Sequence, residues 1–534
     1  MSESKQLQRL LSQGWISRRE FVKRMAAMGF AASVPATMLA SMPAHGAAKK
    51  GGNFRVGLGH GSTTDSLDPA NWENAFTQFT FGYGSNNHLT EILPDGGLGP
   101  ELAESWEPSP DAKVWTFKLR KGVEFHNGKT VEANDVIASL NHHRGEDAKS
   151  GAKGIVTPIK QMKADGKNVV VVTLAEGNAD FPFVLSDYHL AIQPGDADGK
   201  IDGKSGIGAG AYVVESYDAG VRAKLKRHKN YWRSDYGHFD EVEVLTIADV
   251  AARTNALTTG EVDLIDRLDI KTLHLLKRNK SISIKETSGT AHYTAAMRTD
   301  TAPFDNNDVR LALKYAVDRD ALMQNVLRGH GVLGNDHPIG LSNRYHASES
   351  ELPQRQYDPE KAKFHLKNAG LSSLKVDLSA ADAAFGGAVD AAVLMREHAA
   401  KAGIDINVVR EPNDGYWSNV WMKKPWCMVY WGGRPTEDWM FSTAYAAGAD
   451  WNDSFWSHEK FNKLLLEARS ELNQAKRREM YVEMQRIVSD EGGVLVPMFN
   501  NYVFATSSKV GHDTMGANWG LDGNRGMERW WFKS

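Results

Sequence analysis

The sequence predicts a mixed α/β fold, with a first half rich in strands and a second half in which helices alternate with strands. Two observations support this prediction. Residues 114–120 alternate between apolar and polar side chains, which is the period of a half-buried strand. After residue 300, apolar residues recur at helical spacing, and short β-branched runs separate these segments, as in βαβ units.

In the first half, short apolar runs bounded by turn residues predict the strands. Trp115, Phe117 and Leu119 give the segment at 114–120 one apolar face. A stretch rich in Gly and Asp, 195–210, has the composition of a long connection. The remaining strands predicted in this half are 54–58, 169–174, 212–214 and 242–247.

In the second half, capping residues mark where the predicted helices begin and end. A single helix is predicted over 308–327, with Gly329 just beyond its end. Another begins after Asp358, with Pro359 at its first position, and ends at Gly370. The remaining predictions are helices at 389–402 and 473–489 and strands at 405–409, 427–430 and 494–499.

The amino-terminal segment resembles a twin-arginine export signal. Arg18 and Arg19 precede a mildly apolar stretch, 25–40, which is too short and too rich in Ala, Gly and Ser to remain as a spanning helix. Cleavage after Gly46 or Ala48 fits the small residues found there. The first 48 residues are therefore interpreted as a signal peptide, and the mature protein is expected in the periplasm. The alternative is an ordinary helix with a chance arginine pair.

The composition bears on the partners of the mature chain. A formal net charge of −3 argues against nucleic acid as a partner, and against an anionic membrane surface, because both select basic patches. No later apolar run is long enough to span a membrane. The single cysteine, Cys427, rules out an internal disulfide, and its neighbours Trp426 and Met428 predict a buried, inert thiol.

The sequence offers little support for a catalytic or metal-binding site. The sequence contains no nucleophile elbow, phosphate-binding loop or His-Glu-x-x-His zinc helix. The loop 195–199 lacks the ligand spacing of a calcium site and predicts a solvated turn. Apart from the adjacent His142 and His143, the 18 histidines are scattered singly, which favours surface or capping roles. The neighbouring acids Glu437 and Asp438 are expected to form noncovalent interactions and not to act as catalytic acid and base. No enzyme activity, metal site or cofactor is predicted.

One long block of sequence is specific. Residues 102–136 contain the pattern Trp-Thr-Phe-x-Leu-Arg-x-Gly-Val-x-Phe-His-x-Gly. This block resembles the hallmark of the family 5 extracellular solute-binding proteins, the peptide- and nickel-binding components of ABC importers. Further blocks resemble the same family in the same order along the chain, at 208–212, 253–263, 303–319 and 426–438.

The resemblance implies a two-lobed periplasmic-binding-protein clamshell with an extra subdomain inserted in the first lobe. Lobe I would comprise 49–297 and 500–534, with the insertion at about 86–204, and lobe II would comprise 298–499. Two strands would cross between the lobes, near Tyr293–Arg298 and Val496–Tyr502.

The resemblance also implies the function. A peptide or peptide-like solute would be captured between the lobes, enclosed by hinge closure and delivered to permease subunits in the inner membrane. The protein would act as a monomer without catalytic centre or cofactor. Other functions stay open: binding of nickel or a metal chelate, presentation of a ligand to a chemoreceptor, and an exported enzyme.

One departure from the family bears on the solute. In peptide-binding members, an Asp shortly after a Trp pairs with the peptide α-ammonium, whereas this chain has Arg434 shortly after Trp431. A buried guanidinium repels an ammonium group and binds a carboxylate by a bidentate fork. The sequence therefore predicts one of two solute classes. The solute is either a carboxylate-rich compound, resembling an opine or an aminopolycarboxylate, or an ordinary peptide. The alternative is that Glu437 or Asp438 neutralises Arg434.

Other residues complete the predicted site. Arg298 stands near the first crossing, where family members usually have asparagine, and would add a second cation. Aromatic residues such as Tyr416 could form apolar walls of the site or stack on the ligand, although some of them are expected to pack in the protein core. The candidate ligand-binding residues are Arg434, Trp431, Arg298, Tyr430, Asp438 and Trp417.

Overall fold

The structure of the protein is a computed structural model, which describes residues 48–413 and 415–534. The predicted export signal, including Arg18 and Arg19, lies outside the described residues. Within them, no helix combines the length and apolar character needed to cross a bilayer.

The described chain contains short strands in its first half and long strands later. In chain order the strands are β1 Ala48–Lys49, β2 Asn53–Leu58, β3 Thr90–Ile92, β4 Leu98–Pro100, β5 Ala103–Pro108, β6 Val114–Leu119, β7 Ile159–Ala164, β8 Val169–Leu174, β9 Tyr212–Asp218, β10 Arg222–Arg227, β11 Glu241–Thr246, β12 Leu264–Ile265, β13 Ile282–Met297, β14 Gly331–Leu333, β15 Leu374–Ala380, β16 Ile404–Arg410, β17 Trp426–Trp431, β18 Val494–Ser507, β19 Val510–Gly511 and β20 Trp531–Lys533.

Most of the longer helices lie in the second half. The α-helices are α1 Ala75–Thr77, α2 Ala133–His142, α3 Lys153–Val156, α4 Phe181–Val184, α5 Val250–Thr259, α6 Leu273–Leu276, α7 Asn307–Tyr315, α8 Arg319–Val326, α9 Pro359–Asn368, α10 Ala388–Ala400, α11 Tyr416–Asn419, α12 Glu437–Ala444, α13 Glu459–Ser470, α14 Gln474–Glu491, α15 Gly520–Gly523 and α16 Gly526–Arg529. A 3-10 turn, Pro69–Asn71, and a π-helix, Gln78–Ser85, precede the first long helix.

One large mixed sheet runs through both halves of the molecule. Its strand order is β16-β15-β17-β13-β18-β12-β2-β11-β10-β9, and β14 also pairs with β18. The two longest strands, β13 and β18, are antiparallel neighbours from the pair Ile282–Ser507 to the pair Ala296–Val494. They carry the sheet from the first half into the second, and both predicted crossing segments lie along them. The lobe boundaries themselves remain a prediction.

A second, four-stranded sheet stands apart, with the order β5-β6-β8-β7. Its side chains form their own apolar core, which includes Phe117, Phe125 and Val172. A separate core, around Leu313, Met395 and other residues, fills the second half of the chain. Alternation along β6 is as predicted, because Trp115, Phe117 and Leu119 are buried.

The predicted elements occur with one correction. The strands predicted at 54–58, 169–174 and 242–247 are β2, β8 and β11. The single helix predicted over 308–327 is wrong: the chain breaks between α7 and α8. The cause is Asp318, whose backbone is extended and whose carboxylate accepts the amide N–H of Ala321, as the N-cap of a new helix does.

Buried ion pairs fix the carboxyl-terminal segment to the first half. The guanidinium of Arg525 contacts the carboxylates of Glu101 and Glu528, each at 2.9 Å, and Arg233 contacts Glu91 at 2.8 Å. Each cation has a carboxylate partner, as burial of charge requires. The chain therefore returns at its end to the half in which it began.

Candidate functional site

The loop that follows β17 is held against the crossing strand β13. Gly433 has a φ of +68°, and a Cβ there would lie 2.1 Å from Oγ1 of Thr290, so only glycine fits. The loop ends at Thr436, whose hydroxyl accepts the N–H of Trp439 and caps α12. These two fixed ends position Arg434 where the two halves of the molecule meet.

Arg434 has no carboxylate partner among the residues that the structure describes. Its Nη1 donates to the carbonyl of Gly433 at 2.7 Å, and its guanidinium lies 5.9 Å from the Trp439 ring. Burial lowers the pKa of Arg434, while Tyr188 and Asp187 of the first half oppose that change. The guanidinium is therefore partly desolvated and faces the first half of the chain across the sheet crossing.

The two acids proposed to neutralise Arg434 have other partners. Glu437 accepts the amide N–H of Tyr345 at 2.7 Å, and Asp438 forms an ion pair with Arg469 at 3.1 Å. Burial raises the pKa of Glu437 to about 7 and also raises that of Asp438. In this arrangement neither carboxylate compensates the charge of Arg434.

Tyr188 and Asp187, which act on Arg434 from the first half, have contacts of their own. The rings of Tyr188 and Trp519 meet edge to face at 6.2 Å, and Asp187 pairs with His189 at 2.7 Å. The pKa of Tyr188 is raised by burial. Sequence reasoning missed these residues, because no motif joins positions so far apart in the chain.

The crossing strand brings a neutral imidazole and several hydroxyls to the same region. Nδ1 of His292 lies 3.0 Å from the carbonyl of Thr290, and burial, with a smaller contribution from Arg434, lowers the pKa of His292 to about 4. The buried hydroxyls of Thr287, Ser288 and Thr290 have no hydrogen-bond partner within the described part of the chain. The region is polar, and the acid that acts on Arg434 from the first half, Asp187, is paired with His189.

Arg298 is not brought to this site. In the β13–β17 pair, His292 lies opposite Trp431, whereas Arg298 follows the last pair at the other end, about 20 Å along the strand. Its guanidinium pairs with Asp300 at 2.8 Å and lies 4.3 Å from the Phe455 ring. The prediction of a second cation beside Arg434 is not supported by this placement.

The predicted aromatic residues divide into buried and exposed ones. Trp431 is buried, and its Nε1 donates to the carboxylate of Asp453 at 3.3 Å; Tyr416 is buried with its hydroxyl on the carbonyl of Met428. Tyr430 is 50% exposed and Trp417 is 39% exposed, with ring centroids 5.5 Å apart. Trp431 and Tyr416 therefore pack the core, while Tyr430 and Trp417 offer aromatic surface.

The described residues contain no group of three or more His, Cys, Asp or Glu side chains placed to hold a metal ion. What this site offers chemically is a guanidinium fork, neutral hydrogen-bonding groups and aromatic walls, which is a set suited to binding.

Comparison with known proteins identifies the family. The family model of the bacterial extracellular solute-binding proteins, family 5 Middle, matches residues 97–453. The dipeptide-binding protein of Escherichia coli (strain K12) is 27% identical over 468 residues, which span 79% of this chain and 82% of the relative. The heme-binding protein A of Haemophilus influenzae is 30% identical over 312 residues, 53% of this chain and 56% of the relative.

The fold comparison agrees with the sequence comparison. HbpA2 from Haemophilus parasuis superimposes with a TM-score of 0.77 at 20% identity, covering 88% of this chain and 99% of that one. The fold is therefore the two-lobed, mixed α/β architecture of periplasmic binding proteins, as predicted. The chain belongs to the family 5 bacterial extracellular solute-binding proteins.

Proposed function

We propose that this protein is the periplasmic binding component of an ABC importer and that it captures a carboxylate-bearing solute between its lobes. The solute is a peptide or a peptide-like compound such as an opine or an aminopolycarboxylate. The observation that carries the proposal is Arg434, a partly desolvated guanidinium without a carboxylate partner among the described residues.

The physical argument rests on charge compensation. A guanidinium removed from water is unfavourable unless an anion and hydrogen-bond acceptors replace the lost hydration. Within the described residues the Arg434 side chain has the carbonyl of Gly433 as its one acceptor, so most of its N–H donors remain for a ligand. A carboxylate accepts two parallel N–H bonds from one guanidinium, which provides both charge and orientation.

Capture is coupled to closure of the two lobes. In this proposal lobe I comprises 49–297 and 500–534, with the insertion at about 86–204, and lobe II comprises 298–499. The solute binds Arg434 on lobe II and meets Tyr188 on lobe I, so it favours the closed form by binding that form more tightly. The closed monomer then delivers it to permease subunits of the inner membrane.

The proposal is tested by native mass spectrometry of protein purified from its own periplasm. We expect wild type to carry a solute with at least one carboxyl group, and Arg434→Ala to arrive without it. Arg396→Ala is a matched control, because Arg396 is an exposed arginine of the same lobe that pairs with its neighbour Glu397. A solute without a carboxyl group, or equal retention in Arg434→Ala, would contradict the proposed substrate class.

Export by the twin-arginine pathway is part of the same proposal. The receptor reads the paired guanidiniums of Arg18 and Arg19, and lysine lacks their fork geometry. Replacing both arginines with lysine is expected to leave the precursor in the cytoplasm, which cell fractionation and immunoblotting measure. A normal periplasmic yield of the double variant would exclude this route.

A further inference from the structure

A short loop of the small-sheet unit reaches across to the helices of the second half. It comprises residues 177–180, between β8 and α4. Asp180 and Arg477 of α14 form a two-pronged ion pair, with Nη1–Oδ1 at 2.7 Å and Nη2–Oδ2 at 2.6 Å. Asp180 is 4% exposed and Arg477 is 1% exposed, so both charges are removed from water.

A backbone contact accompanies the ion pair. The amide of Ala179 donates to the carbonyl of Arg469 at 2.7 Å. Gly177 approaches so closely that a Cβ there would lie 2.2 Å from the carbonyl oxygen of Asp111 and 3.0 Å from the Cβ of Ser470. The loop is therefore fitted to the junction of α13 and α14.

The residues on the two sides belong to different cores. Phe181, next to Asp180, packs in the core of the four-stranded sheet, whereas Tyr481, one turn after Arg477, packs in the core of the second half. The ion pair therefore joins two bodies. If these bodies separate, Asp180 and Arg477 return to water together, and Leu472, a partly buried residue of the second half that packs against the core of the four-stranded sheet, leaves that core.

The same contact connects to the loop that carries Arg434. The side chain of Arg469, whose carbonyl receives the Ala179 amide, pairs with Asp438 at 3.1 Å and with the hydroxyl of Ser442 at 2.6 Å. Asp438 lies in the first turn of α12, two residues after the Thr436 cap that ends the Arg434 loop. One helix therefore lies between the Arg434 loop and Arg469, the residue that receives the Ala179 amide.

We propose that Asp180, Arg477 and the Ala179–Arg469 hydrogen bond form an interlobe latch that sets how much of the closed form is populated. The inference rests on the proposed function in one respect, that the two halves separate to exchange solute. The latch stabilises closure at a site away from the ligand. Both of its charges are satisfied only when the lobes are closed, so losing either one leaves the other buried without a partner.

The first test needs no variant and no ligand. Hydrogen–deuterium exchange of the ligand-free protein, with electron-transfer fragmentation, follows the single amide of Ala179. We expect it to exchange at least about tenfold faster than the amides of Val170 and Val172 in β8, because opening costs less than unfolding. Exchange of the Ala179 amide at the rate of those core amides would mean that the contact opens only when the protein unfolds, and would overturn the latch.

The second test removes the charge of Asp180. In Asp180→Asn the ligand-free protein is expected to show a larger radius of gyration by small-angle scattering and faster exchange at Ala179, while the β8 amides keep their protection. Glu351→Gln is the matched control, because Glu351 pairs with the neighbouring Arg478 within the second half. An unchanged radius in Asp180→Asn, or the same change in Glu351→Gln, would overturn the proposal.

The two proposals fail in different ways. Both latch measurements use protein without solute, so they report on Asp180 whatever the solute proves to be. Failure of the carboxylate hypothesis would appear instead in the identity of the bound solute and in how Arg434→Ala binds it.

Discussion

At the scale of single residues, the buried carboxyl of Glu437 has the most direct consequence for stability. It accepts the Tyr345 amide and lies near Asp180 and Arg477, and burial raises its pKa from 4.5 to about 7. A raised pKa means that the folded protein holds this proton at a pH where the unfolded chain has lost it. The associated stability is complete below the unfolded pKa and is lost as pH rises through 7.

Glu437→Gln is therefore expected to change the pH dependence of unfolding. Gln keeps an oxygen for the Tyr345 amide and cannot ionise, so the variant should gain about 3 kcal/mol over wild type at pH 8 and little at pH 4.5. Urea denaturation at the two pH values measures this. The exposed Glu360→Gln serves as a control. An equal difference at both pH values would contradict the assignment of a buried, protonated Glu437.

Arg434 shows what the sequence can and cannot provide at this scale. A cation at the position of an expected acid is visible in the sequence, because the neighbouring residues define the register. Its lack of a carboxylate partner is not visible, since it depends on Glu437 and Asp438 facing Tyr345 and Arg469 instead. Arg298 illustrates the reverse: it is close to the crossing strand in sequence but lies at the far end of its pairing with β17.

At the scale of elements, local patterns predicted the strands well. Alternation and bounding glycines depend on neighbouring residues, so β6 and β8 are evident from the sequence. The pairing of β13 with β18 joins residues more than 190 positions apart at every pair, and nothing local specifies it. Tyr188 likewise acts on Arg434 from a distant part of the sequence, which explains why it could not be predicted.

The apolar periodicity of the sequence does not indicate the break between α7 and α8. Apolar residues on both sides of the break face the same core, so helical spacing continues through it. Asp318 starts a new helix and does not continue α7, because its carboxylate accepts the amide N–H of Ala321. A capping residue inside a periodic segment is the signal that the prediction of one helix overlooked.

Removing this cap is expected to destabilise the protein. Asp318→Ala should lower the free energy of unfolding by about 1 kcal/mol, the usual contribution of an Asp N-cap. Guanidinium denaturation measures the change. Asp320→Ala, in the exposed first turn of the same helix, should cost less, since it loses only a helix-dipole interaction. Equal costs for the two variants would contradict the capping role of Asp318.

At the scale of the whole molecule, two long strands join halves that have separate cores. The contacts between the halves include the Arg434 loop against Thr290, the approach of Arg434 to Tyr188, and the ion pair of Asp180 with Arg477. Such an arrangement allows the lobes to move about β13 and β18 while each core stays intact.

Closure on solute is expected to be measurable in solution. Small-angle scattering of the protein freed of its co-purified solute, and then reloaded with it, should show a smaller radius of gyration in the loaded form. Peptides from the middle of β13 and β18 should gain protection from hydrogen exchange at the same time. Tight binding without either change would contradict the hinge mechanism.

The central claim is that Arg434 holds a carboxylate of the solute, and calorimetric titration beside a melting curve tests it most directly. Truncating one partner of a buried charge pair costs on the order of 2–5 kcal/mol, so Arg434→Ala should bind the co-purified solute tens to thousands of times more weakly, with nearly unchanged melting temperature. Arg434→Lys should restore part of the affinity, because a point charge lacks the fork. Unchanged affinity in a folded Arg434→Ala protein would contradict the claim.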